Sequence, residues 1–400
     1  MPSSIRKALN ELPTTLDDTY ERALQGIAKE KRQHARRLFR CLVGAIRPLR
    51  VEELAEIFAI DFEQDDAYIV MEGWRPQNPE EAVISTCSTL ISVIEYERKD
   101  EDDYKDKTSR IVQFSHFSVK EFLTSDRLRI SDLRSICDYH IPLNVGHTVL
   151  VRACLAVLLH SHDDSDKERL KTCPLVLYAA RHWVEHAQYE DVASRVQGSM
   201  EELFNPKKRH LVAWISIHDV AWDLIVPSPG PYLVQGQLPF GAAASSYASY
   251  CGFKGVADYL ITTHAHDVNV RYHDLAAPLY LASGRGHAEI VNLLLQHNAN
   301  VNDHLPRTGH WTPLHFASNR GHAKVIQLLL EHGADINAQS IIHSTPLFLA
   351  SESGNLEVVR LLLGHGPDVH IRSLYDGSPP QMATERGRVE VAHLLIEHGA

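Results

Sequence analysis

Neither a Gly-x4-Gly-Lys-Ser/Thr phosphate loop nor a Gly-x-Ser-x-Gly nucleophile elbow occurs anywhere in the 400 residues. The first absence removes P-loop nucleotide chemistry from this chain, the second the serine-hydrolase turn. Cys-x-x-Cys is also missing, and the six cysteines (41, 87, 137, 154, 173, 251) lie 17 to 78 residues apart. That spacing suggests neither a zinc site nor a disulfide framework, so reduced, mostly buried thiols in a cytoplasmic protein are expected. There is no Asn-x-Ser/Thr sequon, and the N-terminus lacks the apolar core of a signal peptide. The longest apolar run, Val149–Leu159, is broken by Arg152 and is too short to span a bilayer. Positive charge is in deficit: the net charge is −11, which argues against a basic nucleic-acid binder or a binder of acidic membranes. Histidine is in excess, with 25 residues, a count that invites metal or proton chemistry. At roughly 100–200 residues per domain, the length suggests two or three domains.

Internal repetition is where the sequence is most explicit. Gly252, Gly286, Gly321, Gly354 and Gly387 follow at steps of 34, 35, 33 and 33 residues. Four residues before each lies an alanine (Ala248, Ala282, Ala317, Ala350, Ala383), and eight before the last four lies a proline (Pro278, Pro313, Pro346, Pro379). Seven after each begins an apolar triplet, from Tyr259-Leu260-Ile261 to Leu394-Leu395-Ile396. In Thr312-Pro313-Leu314-His315-Phe316-Ala317 the threonine suits a helix N-cap and the proline the first turn. Ala317 is small where helices approach, and Gly321 can end the helix in the left-handed region. His322–His332 makes a second helix stopped by Gly333, after which Asp335-Ile336-Asn337 is expected to leave in extended form.

This unit resembles the ankyrin repeat, whose hallmark is Thr-Pro-Leu-His followed by Gly-His and Leu-Leu-Leu. The match is close over 278–400 and weaker over 240–277, where Ala244 replaces the proline and Ser246 the histidine. In the last unit Ser378-Pro379-Pro380-Gln381 stands for Thr-Pro-Leu-His. One unit cannot bury its apolar face alone, so the units must stack. The final unit stops at Ala400, so an open apolar face is expected around Val389, Leu394 and Leu395. That face fits a fragment of a longer array, a frayed last unit or a partner-binding surface.

In the N-terminal half, Thr15 and Asp18 resemble a capping box, with Leu16, Tyr20, Leu24 and Ile27 following at helical spacing. Further helices are expected over about 30–46, over Glu52–Ile60 and over Pro79–Thr89, with Arg47–Val51 a short extended piece. Leu90–Tyr96 and Arg110–Ser115 read as two strands around a charged loop, and Ser118-Val119-Lys120-Glu121 as the start of another helix. Helices followed by a two-stranded wing spell a winged helix. Residues of about 131–226 read as helical, clearest over Val149–Leu159 and Leu175–Ala187, with Trp183, Trp214 and Trp222 in the core. Pro227–Pro231 is a breaker-rich linker. The expected fold is therefore mainly α. A winged helix with a small β-hairpin occupies 1–130, a helical linker domain 131–231, and an ankyrin-repeat α-solenoid of about five units 240–400.

Winged helices often bind DNA, and the charges oppose it here. The helix in the reading position carries Glu80 and Glu81 and no Lys or Arg, and the wing Glu97–Lys107 has four basic and six acidic residues. The basic stretch Lys29–Arg40, with six basic residues and one acidic, is expected to be a solvated or interdomain face.

A second resemblance rests on Leu12-Pro13 with Leu16-Asp17 and Thr19-Tyr20-Glu21-Arg22, on Arg47-Pro48-Leu49 with Glu52-Glu53-Leu54, and on Phe114–Leu123. With Pro174-Leu175 and Tyr178–Trp183, these resemble fungal NACHT–ankyrin (STAND-type) proteins, signal-transducing NTPases whose winged-helix segment carries a GPI inositol-deacylase-type name. The resemblance covers about residues 5–225. It implies an NTPase domain placed before this point, and no phosphate loop is present here. Nucleotide switching is therefore not carried over, and an NTPase domain in cis or in trans is an implied partner.

No catalytic site emerges. His182-Trp183-Val184-Glu185-His186 puts two histidines a helical turn apart, but Glu185 precedes the second rather than following the first, and no third ligand is suggested. Asp102-Asp103 and Asp163-Asp164 sit in charge-rich loops, and His116 lacks a nucleophile, so a structural histidine is expected. Binding fares better. Residues that vary beside the framework glycines include Arg285, Arg320, Glu352 and Arg386, the arginines being suited to carboxylates on a partner. The loops carry Trp311, Ile341, Ile342, Leu374 and Tyr375, of the types that form hot spots. The sequence thus predicts no catalytic residue, no cofactor and no metal, and partners that are proteins rather than nucleic acid or membrane. Its function reads as an ankyrin stack binding a protein in intracellular signalling. The regulatory and sensor part of a NACHT-type switch is the alternative, and a DNA-binding winged helix the weakest reading. Of the histidines, 15 fall in residues 239–400, many at repeat positions, so the excess counts one structural unit repeated.

Overall fold

The computed structural model describes residues 15–62, 69–70, 76–97, 108–130, 134–160, 173–218, 242–265, 267–269, 277–305, 308–374 and 377–400. Contacts divide the chain into two compact units, Met1–Leu203 and Phe204–Ala400. The wing tip, both aspartate pairs, the linker 227–231, Trp222 and Tyr375 lie outside the described residues.

The first unit opens with α1 (Leu16–Gln25). The Thr15 hydroxyl accepts the Asp18 N–H at 3.1 Å and the Asp18 carboxylate accepts the Thr15 N–H at 3.1 Å, the capping box expected from the sequence. Leu16 sits at its first turn and stays exposed, whereas Tyr20 and Leu24 are buried. There follow α2 (Arg32–Gly44), β1 (Leu49–Arg50), α3 (Val51–Phe58), β2 (Ile60–Asp61), β3 (Ile69–Val70) and α4 (Pro79–Ile84). Next come β4 (Ile91–Glu97), β5 (Thr108–Phe114) and α5 (Phe117–Thr124). The sheet runs β1–β5–β4, all antiparallel, with Val112 opposite both Leu49 and Val93. Three helices and this sheet form the winged helix.

Two details differ from the sequence reading. The helix in the reading position stops at Ile84 rather than Thr89. The helix after the wing is capped by His116, not Ser118. His116 Nδ1 accepts the Ser118 N–H at 3.3 Å and lies 2.6 Å from its hydroxyl, which in turn meets Tyr20 Oη at 2.7 Å. The histidine is structural.

The basic stretch turns into the fold. Lys31 donates to the Ser85 carbonyl at 2.9 Å, Arg37 to that of Ile60 at 3.1 Å, and Arg36 pairs with Asp138. Glu80 of α4 pairs with Arg110 of β5. Beneath the sheet Glu53 is fully buried. Arg47 grips it bidentately at 2.9 and 2.7 Å, and Arg50 adds its Nε at 2.9 Å and its backbone N–H at 2.8 Å.

The helical remainder comprises α6 (Asp126–Arg129), α7 (Arg134–Cys137), α8 (Leu143–Leu159), α9 (Val176–Ala187), α10 (Val192–Arg195) and α11 (Gln197–Leu203). Helix α8 begins six residues before the expected Val149 and packs on α2 and α9. Trp183 of α9 is fully buried, as expected. His186 is not half of a metal pair with His182. It turns inward, with Nδ1 2.8 Å from His147 Nδ1 and Nε2 2.8 Å from Tyr178 Oη. Cys41, Cys87, Cys154 and Cys251 are buried, Cys137 and Cys173 half-buried, and none of the six forms a disulfide.

The second unit begins with α12 (His210–Ile217) and continues in helix pairs. These are α13 (Ala242–Cys251) with α14 (Lys254–His264), α15 (Pro278–Arg285) with α16 (Ala288–Gln296), and α17 (Pro313–Arg320) with α18 (Ala323–Glu331). The last pairs are α19 (Pro346–Ser353) with α20 (Leu356–Gly364), and α21 (Pro379–Glu385) with α22 (Val389–Glu397). First helices pack side by side in one row and second helices in another. The stack does not start on a bare face: Trp214 of α12 is fully buried edge-on to Tyr247 at 6.2 Å, and Phe204 lies edge-on to Phe253 at 6.4 Å.

Each unit grips the next through the same parts. Gly286 ends α15 at φ 77°, and a Cβ there would lie 2.6 Å from the His322 ring, so glycine is required by both backbone and neighbour. His322 Nε2 donates to the Gly284 carbonyl at 3.2 Å, and one unit earlier His287 meets the Tyr250 carbonyl at 3.1 Å. Fully buried His315 meets the Thr312 hydroxyl at 2.8 Å through Nδ1 and the Ser344 carbonyl at 3.0 Å through Nε2.

Asp335-Ile336-Asn337, expected to be extended, is instead a turn. Asp335 Oδ1 accepts the Asn337 N–H at 2.9 Å, and Asn337 Oδ1 accepts the Asp368 N–H of the next unit at 2.8 Å. Asn302 does the same for the Asp335 N–H at 2.8 Å. In the last unit Leu394 and Leu395 are buried, contrary to the expected open face. The exposed apolar residues there are Val389 and Ile396.

Two buried histidines make stability depend on pH. Burial, aided by the neighbouring His147 and His182, pushes His186 down to about 3. Burial pushes His315 down to about 4 despite the Ser344 carbonyl it meets. Both fold neutral, so their contribution is complete above the unfolded value of 6.5 and is lost as pH falls below it. At pH 5 each is expected to cost about 2 kcal/mol relative to pH 7, read as a lower urea midpoint. An unchanged midpoint would contradict the buried, neutral state of both rings.

Candidate protein-interaction surface

A groove of about 500 Å³ opens across the third to fifth helix pairs. Its apolar side is made by Trp311, Ile342, Phe348 and Leu349, and its polar side by Glu352, Arg386 and Arg388 with Asn319, Ser344 and Ser353. Phe348 and Leu349 are buried in the first turn of α19, which Thr345 caps, its hydroxyl accepting the Phe348 N–H at 3.2 Å. With Met382 they form a buried cluster against which Trp311 packs. The indole is braced from behind by Phe316, edge-on at 5.5 Å. The loop carrying Ile342 is fixed as well: its carbonyl accepts the Leu374 N–H at 2.9 Å and the Ser373 hydroxyl at 3.1 Å. Ile341 donates its N–H to the Gly309 carbonyl at 2.9 Å and leaves its side chain 60% exposed, and Leu374 is 56% exposed.

The groove gathers Trp311, Ile342, Glu352 and Arg386 from the residues the sequence singled out, with Ile341 at the adjoining loop tip. Arg386 is not free: it pairs with Glu352 at 2.6 Å. Arg285 lies apart, its guanidinium 4.3 Å over the Tyr250 ring and bonded to that hydroxyl at 2.8 Å, a unit-to-unit contact. Arg320 is exposed and makes no ion pair among the described residues. The sequence reading missed Phe348, Leu349 and Arg388. The signal for Arg388 was present: it follows Gly387 where His287, His322 and Asn355 follow the earlier framework glycines. Its side chain lies against Gly354. The groove therefore offers an apolar wall, a charged rim and a preset backbone, a surface for recognition. Among the described residues no three His, Cys, Asp or Glu side chains gather as a metal site, and no helix is long and apolar enough to cross a membrane.

Fold and surface define a winged-helix protein with C-terminal ankyrin repeats. Residues 20–135 match the family described as GPI inositol-deacylase, winged helix domain, and residues 243–340 and 341–400 match ankyrin repeats in three copies. Among curated relatives, azaphilone pigments biosynthesis cluster protein L of Monascus ruber is 30% identical over 305 residues, covering 73% of this chain and 61% of that protein. The chain thus spans 61% of that relative's length. BCL-6 corepressor-like protein 1 of Mus musculus is 44% identical over 55 residues, 14% of this chain and 3% of that protein.

Proposed function

We propose that this chain is a non-catalytic interaction and scaffold protein of cytoplasmic signalling, in which the ankyrin stack binds a protein partner. The single observation that carries this reading is the groove, where variable loop and helix residues converge on a braced apolar wall with a charged rim. The segments 1–130 and 131–231 would couple that event to a signalling domain. A second reading, the regulatory and sensor part of a NACHT-type NTPase, draws support from the match of residues 20–135 to a GPI inositol-deacylase-type winged helix. Against nucleic acid as the partner stands the inward use of Lys31, Arg36 and Arg37.

The test is affinity capture from the native source with the full chain and with an Ile342→Asp/Arg386→Glu variant. Partners of the stack are expected to fall by about tenfold or more, the loss that truncated hot-spot residues commonly cause. Partners retained at wild-type levels place recognition outside the groove. Retention of an NTPase alone favours the second reading.

A further inference from the structure

The rim and wall of the groove also select the kind of ligand. Three charged side chains line it, and they do not cancel. Glu352 is engaged by Arg386. Arg388 makes no ion pair among the described residues; it lines the groove, with its Cδ and the near edge of its guanidinium lying over Gly354. Arg320, at the end of α17 next to the groove residue Asn319, is likewise exposed and without an ion pair among the described residues. This local positive excess sits on a molecule of net charge −11. Opposite the cations stands an uncharged wall in which Trp311 is held by Phe316 and the Phe348–Leu349–Met382 cluster.

Each alternative occupant meets an obstacle. A second copy docking groove to groove would place Arg388 near its own image, because a two-fold interface pairs each patch with itself. A nucleic acid needs a run of cations following its phosphates, whereas here two or three arginines flank an apolar slot. A volume of about 500 Å³ lies within the roughly 300–1,000 Å³ range that takes small ligands, and suits one large side chain with its neighbouring backbone.

We propose that the groove binds an extended acidic peptide segment. A large apolar residue would enter the slot formed by Trp311, Ile342, Phe348 and Leu349, and a neighbouring Asp or Glu carboxylate would meet Arg388. The proposal rests on the reading of the stack as a protein-binding module and names the chemistry of its partner. The free arginine favours carboxylate in planar, two-bonded geometry. The preset wall lowers the ordering cost on the protein side, leaving the peptide to supply most of it.

The experiment is selection of displayed random peptides on the immobilised full chain, followed by fluorescence anisotropy of the recovered sequences. Recovered peptides are expected to share an aromatic, leucine or methionine residue within two positions of an Asp or Glu. Arg388→Glu is expected to weaken them by about tenfold and to favour versions in which lysine replaces the acidic residue. Ile342→Asp is expected to abolish both. Circular dichroism checks that each variant is folded, and Arg388→Ala, expected to weaken the acidic peptides without favouring lysine, serves if Arg388→Glu is not. A consensus rich in Lys or Arg, no enrichment over the Ile342→Asp variant, displacement by single-stranded DNA, or a dimer closed through the groove would each overturn the proposal. If no peptide is enriched while a captured partner is still lost in Ile342→Asp/Arg386→Glu, only the ligand class is wrong. If neither is seen, the interaction reading falls as well.

Discussion

Glu53→Ala should cost the first unit roughly 3–5 kcal/mol, the range seen when one partner of a buried ion pair is removed. The carboxylate is fully buried and accepts from Arg47 and Arg50, and its loss leaves these two partly exposed guanidinium groups without it; water reaches them, which places the cost at the lower end of that range. These arginines also have other duties. Arg47 lies 4.8 Å over the Tyr178 ring, and Arg50 donates to the Pro174 carbonyl at 3.2 Å. The glutamate therefore holds the winged helix to the helices that follow it. Glu53→Gln keeps the shape but removes the charge, and should fall between wild type and alanine. Burial alone would raise the Glu53 carboxyl, but the bonds and charges of Arg47 and Arg50 outweigh it and hold it below the usual glutamate range. A lowered carboxyl contributes stability that is complete above its unfolded value of 4.5 and is lost as pH falls through the folded one. Urea unfolding of both variants at pH 7 gives the readout. A loss under about 1 kcal/mol for alanine would mean that water already satisfies the site.

The second large effect lies at the crossing of α2 and α8. A Cβ on Gly44 would sit 2.5 Å from the Gly146 carbonyl carbon, and one on Gly146 would sit 2.9 Å from the Arg40 carbonyl oxygen. All the obstructing atoms are backbone, so no side chain can rotate away. Helix propensity alone would favour alanine at Gly44 by about 1 kcal/mol. The clash reverses the sign, and Gly44→Val should cost roughly 3 kcal/mol or more, at the upper end of overpacking effects. Gly198, where a Cβ would meet nothing within 4 Å, is the control, and alanine there should leave the thermal midpoint unchanged or slightly raised. Equal behaviour of the two sites would refute the close crossing.

These two sites mark where sequence reasoning stopped. Repeat units and wing strands were legible because their spacing is periodic and their caps are local. The early start of α8 was not: Leu143–Thr148 contains Asn144, Gly146 and His147, a poor helical pattern in isolation. Two of those residues serve distant neighbours, Gly146 for Gly44 and His147 for His186. Asp335–Asn337 was misread for a similar reason. Its side chains bond within the turn and to Asp368, and such an Asx ladder shows only when units are compared. Arg285 varies between units and is exposed, and its contact with Tyr250, 35 residues earlier, could not be read from spacing. Trp311, Ile342, Glu352 and Arg386, which line one groove, stand out in the sequence because loop tips and framework-flanking positions are where a stack displays its differences. Phe348 and Leu349 were hidden because they read as framework.

The recurring Gly–His and Asn–Asp contacts between neighbouring units bear on how such a chain can change over generations. Each junction uses the same positions one repeat apart, a left-handed glycine meeting the residue after the next framework glycine and an asparagine accepting a backbone N–H of the next unit, and groove residues lie largely outside that set. Duplicating or deleting one whole unit therefore preserves every remaining junction, and nearest-neighbour energetics make the stability change local. Substitution at the groove can proceed without disturbing those joints. Recognition and cohesion can then drift independently, except at Arg388, which lines the groove and also sits against Gly354 at a joint position.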